Sequence, residues 1–279
     1  MHLRGFLSQC WGYLFRTESV FVRQYELNSQ YLNRRVHLSA IRPRVSPNQR
    51  LNLVICLDGQ DFERMKMVDR MASFFSAYPD QPLLMVGIHA ADRLREYGTS
   101  GRPDYQGRGD LSKAHQDFVT RELLPWLNRR YCISKEVSVR AIMGFSLGGL
   151  HAFDLAWQRS DVFGAVGVFS GALWWRSKPF NKKKPDANRI VHDYVSRTIE
   201  IPSSLRVWLM AGTEDEKEDR NNNGIIDAID DTVDLKKLLK KRGFDSPGRL
   251  TYLEKEGGRH EPETWGEVLP DFLHWLFKR

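Results

Sequence analysis

Five short apolar runs, separated by segments of helical character, constrain the fold of this chain more than any other sequence feature. The runs occupy residues 51–57, 82–88, 137–143, 162–169 and 205–211. Near-continuous apolar runs of this length are typical of strands that are buried on both faces, and their alternation with helices is typical of parallel sheets. A chain of 279 residues can bury such a sheet in one domain. The sequence therefore predicts an α/β fold in which a mostly parallel central sheet carries helices on both faces.

The third run leads into the segment 144–149, which reads Gly-Phe-Ser-Leu-Gly-Gly, and a helix-like stretch from Leu150 to Arg159 follows. A Gly-x-Ser-x-Gly motif between a strand and a helix indicates a nucleophile elbow, a turn so tight that glycines flank the serine. Such a turn exposes the Ser146 hydroxyl and leaves the Leu147 N–H at the helix start, where it can face an oxyanion. A strand–turn–helix with a capping serine is the alternative interpretation.

A nucleophilic serine of this kind needs a histidine base that follows an acid in the chain. His260 stands in a glycine-rich loop at 257–262, between a predicted strand at 250–254 and a terminal helix. A loop at the carboxyl end of a late strand can reach over the sheet towards Ser146. His274 lies inside the amphipathic terminal helix, which favours a packing or surface role. His260 is therefore the predicted base.

The acid is expected directly after the preceding strand, where three carboxylates occur in succession, at Glu214, Asp215 and Glu216. Asp215 stands three residues after Gly212, the glycine predicted to end that strand, and this placement favours it. Its carboxylate would accept the Nδ1–H of His260 and stabilise the imidazolium as it forms. Glu214 and Glu216 stay open as alternatives, and an exposed acidic turn is the non-catalytic interpretation.

The second oxyanion donor is expected in the turn after the first apolar run, where residues 58–61 read Asp-Gly-Gln-Asp. Glycine lets a backbone approach a ligand closely, so the N–H of Gln60 or Gly59 is the predicted partner of the Leu147 N–H. Gly59 is accordingly also predicted to contact the substrate. An ordinary turn between a strand and a helix is the alternative.

The order of these motifs resembles that of a known family, the putative-esterase group of α/β-hydrolases. Its members include enterochelin-esterase-like proteins, feruloyl esterases, S-formylglutathione hydrolases and the antigen 85 mycolyltransferases. The resemblance covers roughly residues 30–279, leaving 1–29 as an added strand, a cap or a partner-binding arm. The matching segments are 57–61, 93–97, 122–125, 144–149 and 257–260.

The resemblance implies one α/β-hydrolase domain, with the triad and the oxyanion hole at the residues named above. The expected function is a serine esterase that forms an acyl-enzyme and needs no cofactor for catalysis. The substrate is expected to be a small-molecule ester whose acyl and alcohol parts the resemblance does not fix. Two alternatives stay open: an acyltransferase, in which another alcohol replaces water, and a catalytically silent binding module.

Composition restricts the location and the partners of the chain. Its three cysteines, Cys10, Cys56 and Cys132, suggest no disulfide framework, and no apolar stretch approaches the length of a transmembrane helix. Because the N-terminus lacks a small-residue cleavage site, no signal peptide is predicted and a cytoplasmic protein is expected. No nucleic-acid motif accompanies the net charge of +7. The oligomeric state stays open.

The segment after the fourth run combines two tryptophans with a cluster of basic residues. Trp174 and Trp175 are predicted to wall an acyl or aromatic pocket, with burial in the core as the alternative. The basic cluster is interpreted first as a solvated insert and second as a cationic rim that attracts acidic substrates. Its members are Arg176, Lys178, Lys182, Lys183, Lys184 and Arg189.

A twelve-residue segment matches a calcium-binding loop independently of the triad. Oxygen-bearing side chains recur at every second residue, and Gly224 permits the sharp turn. Asp230 replaces the usual final glutamate, and no EF-hand helix precedes the loop. The prediction is a structural Ca²⁺ that ties down the loop carrying Asp215; the alternative is a surface turn in which Asp230 or Asp231 caps the next helix. The candidate ligands are Asp219, Asn221, Asn223, Ile225, Asp227 and Asp230.

Overall fold

Strand formation follows the apolar runs, because each run supplies side chains to both faces of one sheet. The computed structural model describes residues 16–17 and 20–278, and in this part of the chain nine strands form a single sheet. The strands are β1 (Arg16–Thr17), β2 (Val20–Ser29), β3 (Arg34–Pro43), β4 (Asn52–Leu57), β5 (Leu83–Ile88), β6 (Arg140–Phe145), β7 (Ala165–Phe169), β8 (Arg206–Glu214) and β9 (Leu250–Arg259).

The sheet is mostly parallel, as the sequence predicts. Its spatial order is β1-β2-β3-β5-β4-β6-β7-β8-β9. Strands β4 to β9 are parallel to one another, whereas β3 pairs antiparallel with both β2 and β5. Because the parallel strands share one direction, their carboxyl ends and the loops that leave them meet at the same edge of the sheet.

Helices cover both faces of this sheet. Alternate residues of β4 show how the layers form: Leu53, Ile55 and Leu57 pack into one apolar core, while Val54 and Cys56 pack into the other. No helix of the described residues combines the length and apolar character needed to cross a membrane. The described helices are α1 (Met67–Ala77), α2 (Arg93–Glu96), α3 (Ser112–Asp117), α4 (Leu124–Arg130), α5 (Leu147–Gln158), α6 (Ile190–Arg197), α7 (Asp227–Lys241) and α8 (Pro262–Phe277).

The two cores divide these helices between the faces. Helices α1 and α8 pack into the core that contains Val54, and α4 to α7 pack into the core that contains Leu53. Helices on both sides of a parallel sheet remove its strands from water, which explains why the strands carry apolar runs rather than an alternating pattern.

Residues 20–29 are an integral part of the sheet. The sequence left the role of residues 1–29 open among a strand, a cap and an arm, and strand β2 runs in unbroken register with β3 from Val20↔Pro43 to Ser29↔Arg34. Cys10 lies outside the described residues. The other two cysteines are free thiols, with Cys56 buried and Cys132 exposed.

Several strand bounds predicted from the sequence are wrong: β6 begins at Arg140 after a 3₁₀ turn at Val137–Val139, and β7 begins at Ala165. The corrected ends of β8 and β9 position the site. Strand β8 continues past Gly212 to Glu214, and β9 continues through the expected glycine loop to Arg259. The ladder shifts register between Gly212 and Glu214, and Gly257 absorbs the irregularity with a φ of +64°. Because Glu214 pairs with Arg259, the next residue of each strand emerges beside the other.

Candidate active site

Ser146 occupies a strained turn between β6 and α5. Its φ of +52° and ψ of −122° are unusual for a residue with a side chain, and such conformations cost about 1–3 kcal/mol and cluster at functional sites. The Ser146 N–H donates to the Phe169 carbonyl at 2.9 Å, and the Ser146 carbonyl accepts the Ala172 N–H at 2.9 Å. These bonds tie the turn to the end of β7. The predicted strand–turn–helix geometry is therefore present.

Gly144 lets this turn close tightly on α5. A Cβ atom at Gly144 would lie 2.4 Å from the Gly148 oxygen and 2.9 Å from the Gly149 nitrogen, which are both backbone atoms. Gly144→Ala is therefore expected to lower the free energy of unfolding by about 1–3 kcal/mol and, by displacing Ser146, to lower the esterase activity expected from the sequence. Denaturant unfolding and ester hydrolysis measure the two effects. An unchanged midpoint with full activity would contradict this packing.

The turn that carries the predicted oxyanion donors packs against the start of α5. A Cβ atom on Gly148 would lie 2.8 Å from Asp58 Oδ2. Leu147 is the first residue of α5, and Gln60 lies in a single 3₁₀ turn at Gly59–Asp61. Backbone N–H groups in a first turn have no acceptor within their own helix, so both can face a ligand. Gly59 must be glycine, because its Cβ would approach the Gly87 backbone to 2.6 Å.

Asp215 and His260 lie side by side, as the β8–β9 register requires. His260 Nδ1 is 3.8 Å from Asp215 Oδ1, and the Asp215 side chain is fully buried while that of His260 is 40% exposed. Asp215 Oδ2 accepts the Gly212 N–H at 2.9 Å. Among the three candidate acids, Glu214 instead pairs with Arg259 at 3.1 Å. Burial raises the pKa of Glu216 to about 7.

Burial dominates the titration of the Asp215–His260 pair. Desolvation raises the pKa of Asp215, and hydrogen bonds from Gly212 and Ser170 and the charge of His260 lower it. Desolvation also lowers the pKa of His260, which Asp215 raises and Arg93 lowers further. A neutral imidazole at neutral pH is the form that a general base needs. No hydrogen bond joins Ser146 to His260 in the described residues.

An ion pair between buried Asp58 and partly exposed Arg93 lies beside the elbow, and the sequence did not predict it. Asp58 is 1% exposed, and its carboxylate accepts hydrogen bonds from Nε and Nη2 of Arg93 at 2.9 and 3.2 Å. It also accepts the side-chain amide of Gln60 at 2.9 Å. Arg93 Nη2 reaches the carbonyl of Phe145, the residue before Ser146, at 3.4 Å. Arg93 lies in the segment 93–97 that contributes to the family resemblance, but no spacing rule links it to Asp58.

The two tryptophans predicted to bind substrate have different environments. Trp175 is 1% exposed and packs against Gly98 and Gly109, so it is a core residue with no surface to offer a substrate. Trp174 is 40% exposed. Together with Phe180 it lines a cleft of about 630 Å³. Trp174 alone therefore remains as a candidate contact.

The basic cluster also contains both exposed and buried side chains. Lys178, Lys182, Lys183 and Lys184 are exposed, as the interpretation of a solvated insert requires. The two arginines are buried and structural: Arg189 pairs with Asp231 at 2.5 Å, and Arg176 donates to the carbonyls of Trp174 and Pro185.

The predicted calcium ligands lie together in a hydrogen-bonded loop. The Asp219 carboxylate accepts the N–H groups of Asn223 and Gly224 at 3.1 and 2.8 Å. Asp230 Oδ2 accepts the side-chain amides of Asn221 and Asn223 at 2.8 Å each. No group of three or more His, Cys, Asp or Glu side chains in the described residues is arranged to hold a metal.

Two further contacts define the end of this loop. Asp227 faces the Arg220 guanidinium at 3.1 Å, and Ile225 donates its N–H to the Asn223 side chain. Helix α7 begins at Asp227, so Asp230 and Asp231 lie inside the helix and the predicted cap at either residue is wrong. The helix starts earlier because the Asp227 carboxylate accepts the Arg220 N–H at 2.9 Å and closes the loop.

Calcium binding stays a prediction, and a chelator experiment tests it. A bound Ca²⁺ would stabilise the folded protein by about 2.7 kcal/mol at a hundredfold excess over its Kd. Tm should then rise when Ca²⁺ is added to EGTA-treated protein. Asp219→Asn should abolish the rise, and Asp245→Asn, an exposed acid outside the loop, should preserve it. Equal Tm values with Ca²⁺ and with EGTA would contradict the prediction.

Comparison with known protein sequences identifies similar chains. A family model described as "Putative esterase" matches residues 29–276. The uncharacterized protein YbbA of Bacillus subtilis strain 168 is 22% identical over 218 residues, which are 75% of this chain and 79% of that protein. An endo-1,4-beta-xylanase/feruloyl esterase of Xylanibacter ruminicola is 21% identical over 198 residues, which are 71% of this chain and 22% of that protein.

Solved structures share the fold at low sequence identity. A ferulic acid esterase gives a TM-score of 0.70 at 18% identity, over 92% of this chain and 98% of that one. The enterochelin esterase of Shigella flexneri gives a TM-score of 0.74 at 18% identity, over 98% of this chain and 62% of that one. These likenesses confirm the predicted α/β-hydrolase fold.

Proposed function

This chain belongs to the putative esterase family and is an ester hydrolase; we propose that it works through a covalent acyl-enzyme on Ser146. The observation that carries the proposal is the adjacency of Asp215 and His260 at the sheet edge where the strained Ser146 turn lies. A buried carboxylate, a partly exposed imidazole and a serine held by backbone strain are the groups that acyl transfer requires.

Acylation begins when His260 removes the proton of the Ser146 hydroxyl. The serine oxygen attacks the ester carbonyl, and the Leu147 and Gln60 N–H groups stabilise the resulting oxyanion. The tetrahedral intermediate collapses as its bond to the alcohol oxygen breaks. His260 then gives the proton to the departing alcohol, and Asp215 stabilises the imidazolium between these steps.

Deacylation repeats the same proton transfers with water. His260 deprotonates a water molecule that attacks the acyl carbonyl, the same two N–H groups receive the oxyanion, and the proton returns to Ser146 as the acid departs. Asp58 supports these steps indirectly: it binds Gln60 and Arg93 at once, and so fixes the turn that carries one oxyanion donor.

We also propose a small-molecule ester as substrate and the cytoplasm as location. The exposed free thiol of Cys132 supports a reducing compartment. An acyltransferase is the second candidate function, in which another alcohol takes the place of water in deacylation. An ester product formed when a second alcohol is added to the reaction would favour it over hydrolysis.

A fluorophosphonate probe tests the proposal directly, because it phosphonylates only an activated serine. Wild-type protein is expected to be labelled and to hydrolyse p-nitrophenyl esters. Ser146→Ala should abolish the labelling. Ser196→Ala, which removes an exposed serine of helix α6, should preserve it. A folded wild-type protein that resists labelling would overturn the acyl-enzyme proposal and favour a catalytically silent binding module.

A further inference from the structure

We infer that Ser170 and Trp265 are positioning residues, which orient the Asp215–His260 pair through one directional chain of hydrogen bonds. The inference rests on the proposed function of that pair. Ser170 Oγ lies 3.0 Å from Asp215 Oδ1, and Trp265 Nε1 lies 3.0 Å from Ser170 Oγ. Ser170 and Trp265 are both buried, so water does not compete for these bonds.

The direction of the chain follows from the chemistry of its members. An indole N–H can only donate, and an ionised carboxylate can only accept. Ser170 therefore accepts from Trp265 and has one hydrogen left, which it gives to Asp215. The Met210 sulfur, 3.7 Å from the same hydroxyl, is a much weaker acceptor than a carboxylate. The indole thus fixes the hydroxyl, and the hydroxyl fixes the carboxylate.

This chain determines how Asp215 can face its histidine. The Gly212 N–H donates to Asp215 Oδ2 at 2.9 Å. The Ser170 hydroxyl donates to Oδ1, which is also the carboxylate oxygen that lies 3.8 Å from His260 Nδ1. With a donor on each oxygen, the carboxylate has one orientation, and the free lone pair of Oδ1 remains for His260. Without the Ser170 donor, the carboxylate can rotate away from the imidazole.

Trp265 also contacts the base and the elbow. Its ring lies edge-to-face with His260, with the centroids 5.3 Å apart at 83°. It stacks on Phe145, the residue before Ser146, at 4.9 Å and 12°. Trp265 therefore contacts three residues of the proposed site: Phe145, the proposed base His260, and Ser170, which donates to Asp215. Ser170 in turn holds a φ of +46°, a strain that is typical of functional positions.

The test uses variants that remove one hydrogen-bonding group each. Trp265→Phe keeps an aromatic ring and removes the indole N–H, and Ser170→Ala removes the hydroxyl. Each is expected to lower kcat by about 10- to 100-fold, because small misplacements of a reacting group have effects of this size. KM should change by less than about threefold, since neither residue is placed in the binding site. Trp275→Phe is the matched control: it lies on the same helix, is buried, and its indole nitrogen has no partner in the described residues.

A second measurement separates positioning from general packing. In an Asp215→Asn background, Ser170→Ala should lower kcat by less than about twofold further, because its effect passes through the carboxylate. Full additivity, or a wild-type kcat in Trp265→Phe, would overturn the inference. Fluorophosphonate labelling of wild type keeps the two proposals distinct: an unlabelled wild type removes the proposed function, whereas labelled variants with unchanged kcat remove only the positioning role.

Discussion

Replacing His260 by alanine is expected to lower kcat for ester hydrolysis by about a millionfold, the effect that loss of a triad histidine has in serine hydrolases. The variant keeps Ser146 and both proposed oxyanion donors, but it lacks the group proposed to accept the serine proton. Measured with p-nitrophenyl esters, kcat should fall far more than KM changes. Circular dichroism should show an unchanged fold, because the His260 side chain is 40% exposed and its removal leaves no buried cavity.

His274→Ala provides the matched control for this prediction. His274 is the other histidine that the sequence places after the acid, and its Nδ1 lies 2.5 Å from the Tyr78 hydroxyl on the exposed side of α8. Its removal should leave kcat within about twofold. Loss of activity in His274→Ala with retention in His260→Ala would reverse the assignment.

Replacing Asp215, the proposed acid, is also expected to lower kcat, but by less than replacing His260 does. Asp215→Asn keeps the size of the side chain and removes the charge proposed to stabilise the imidazolium, so kcat should fall by about 10⁴-fold. Glu214→Gln is the control, because Glu214 pairs with Arg259 and not with His260. A greater loss in Glu214→Gln than in Asp215→Asn would identify Glu214 as the acid.

The parts of the fold that the sequence predicts are those set by local pattern. Near-continuous apolar runs predict strands because both faces of a parallel sheet are buried, and the elbow motif identifies its own strand, turn and helix. The strand ends are harder, because β8 and β9 extend each other by pairing across the sheet. Gly212 and Gly257 look like strand ends in the sequence, and in the fold they accommodate an irregular ladder.

The residues that support the site could not be predicted from local sequence pattern. Trp265 and Ser170 are 95 residues apart, Ser170 and Asp215 are 45 apart, and Arg93 and Asp58 are 35 apart. Each contact depends on how separate elements pack, and a serine after a strand or a tryptophan in an amphipathic helix has an ordinary core interpretation. Trp175 illustrates the reverse case, since its position after a strand suggested a binding role and packing places it in the core.

Lowering the pH from 7 to 5 is expected to lower the free energy of unfolding, and four histidines are the principal cause. Burial lowers the pKa of His89 and His151 to about 4 and that of His192 to about 3, and it lowers the pKa of His115 well below its ordinary value. The unfolded chain binds protons at these residues near pH 6.5. Their contribution to stability is therefore complete above pH 6.5 and is lost as the pH falls towards 4.

Two buried carboxyls oppose this trend without cancelling it. Burial raises the pKa of Asp154 to about 6 and that of Glu216 to about 7, so the folded protein binds their protons before the unfolded chain does. Near pH 5, unfolding then takes up protons at the four histidines and releases protons from these two carboxyls. Because the histidines outnumber the two carboxyls, we expect net proton uptake on unfolding, so the free energy of unfolding rises with pH over this range. Raised pKa values at Asp58 and Asp231 act in the same direction as these carboxyls.

Denaturant unfolding at half-unit pH intervals measures the slope of the free energy of unfolding against pH, and two variants test its source. His192→Gln removes a buried imidazole and should reduce the slope below pH 6.5 by about 1.4 kcal/mol per pH unit, the value for one proton. Ser196→Ala removes an exposed side chain with no titrating group and should leave the slope unchanged. If both variants keep the wild-type slope, or if stability rises from pH 7 to pH 5, the histidines are not its source and the buried carboxyls dominate.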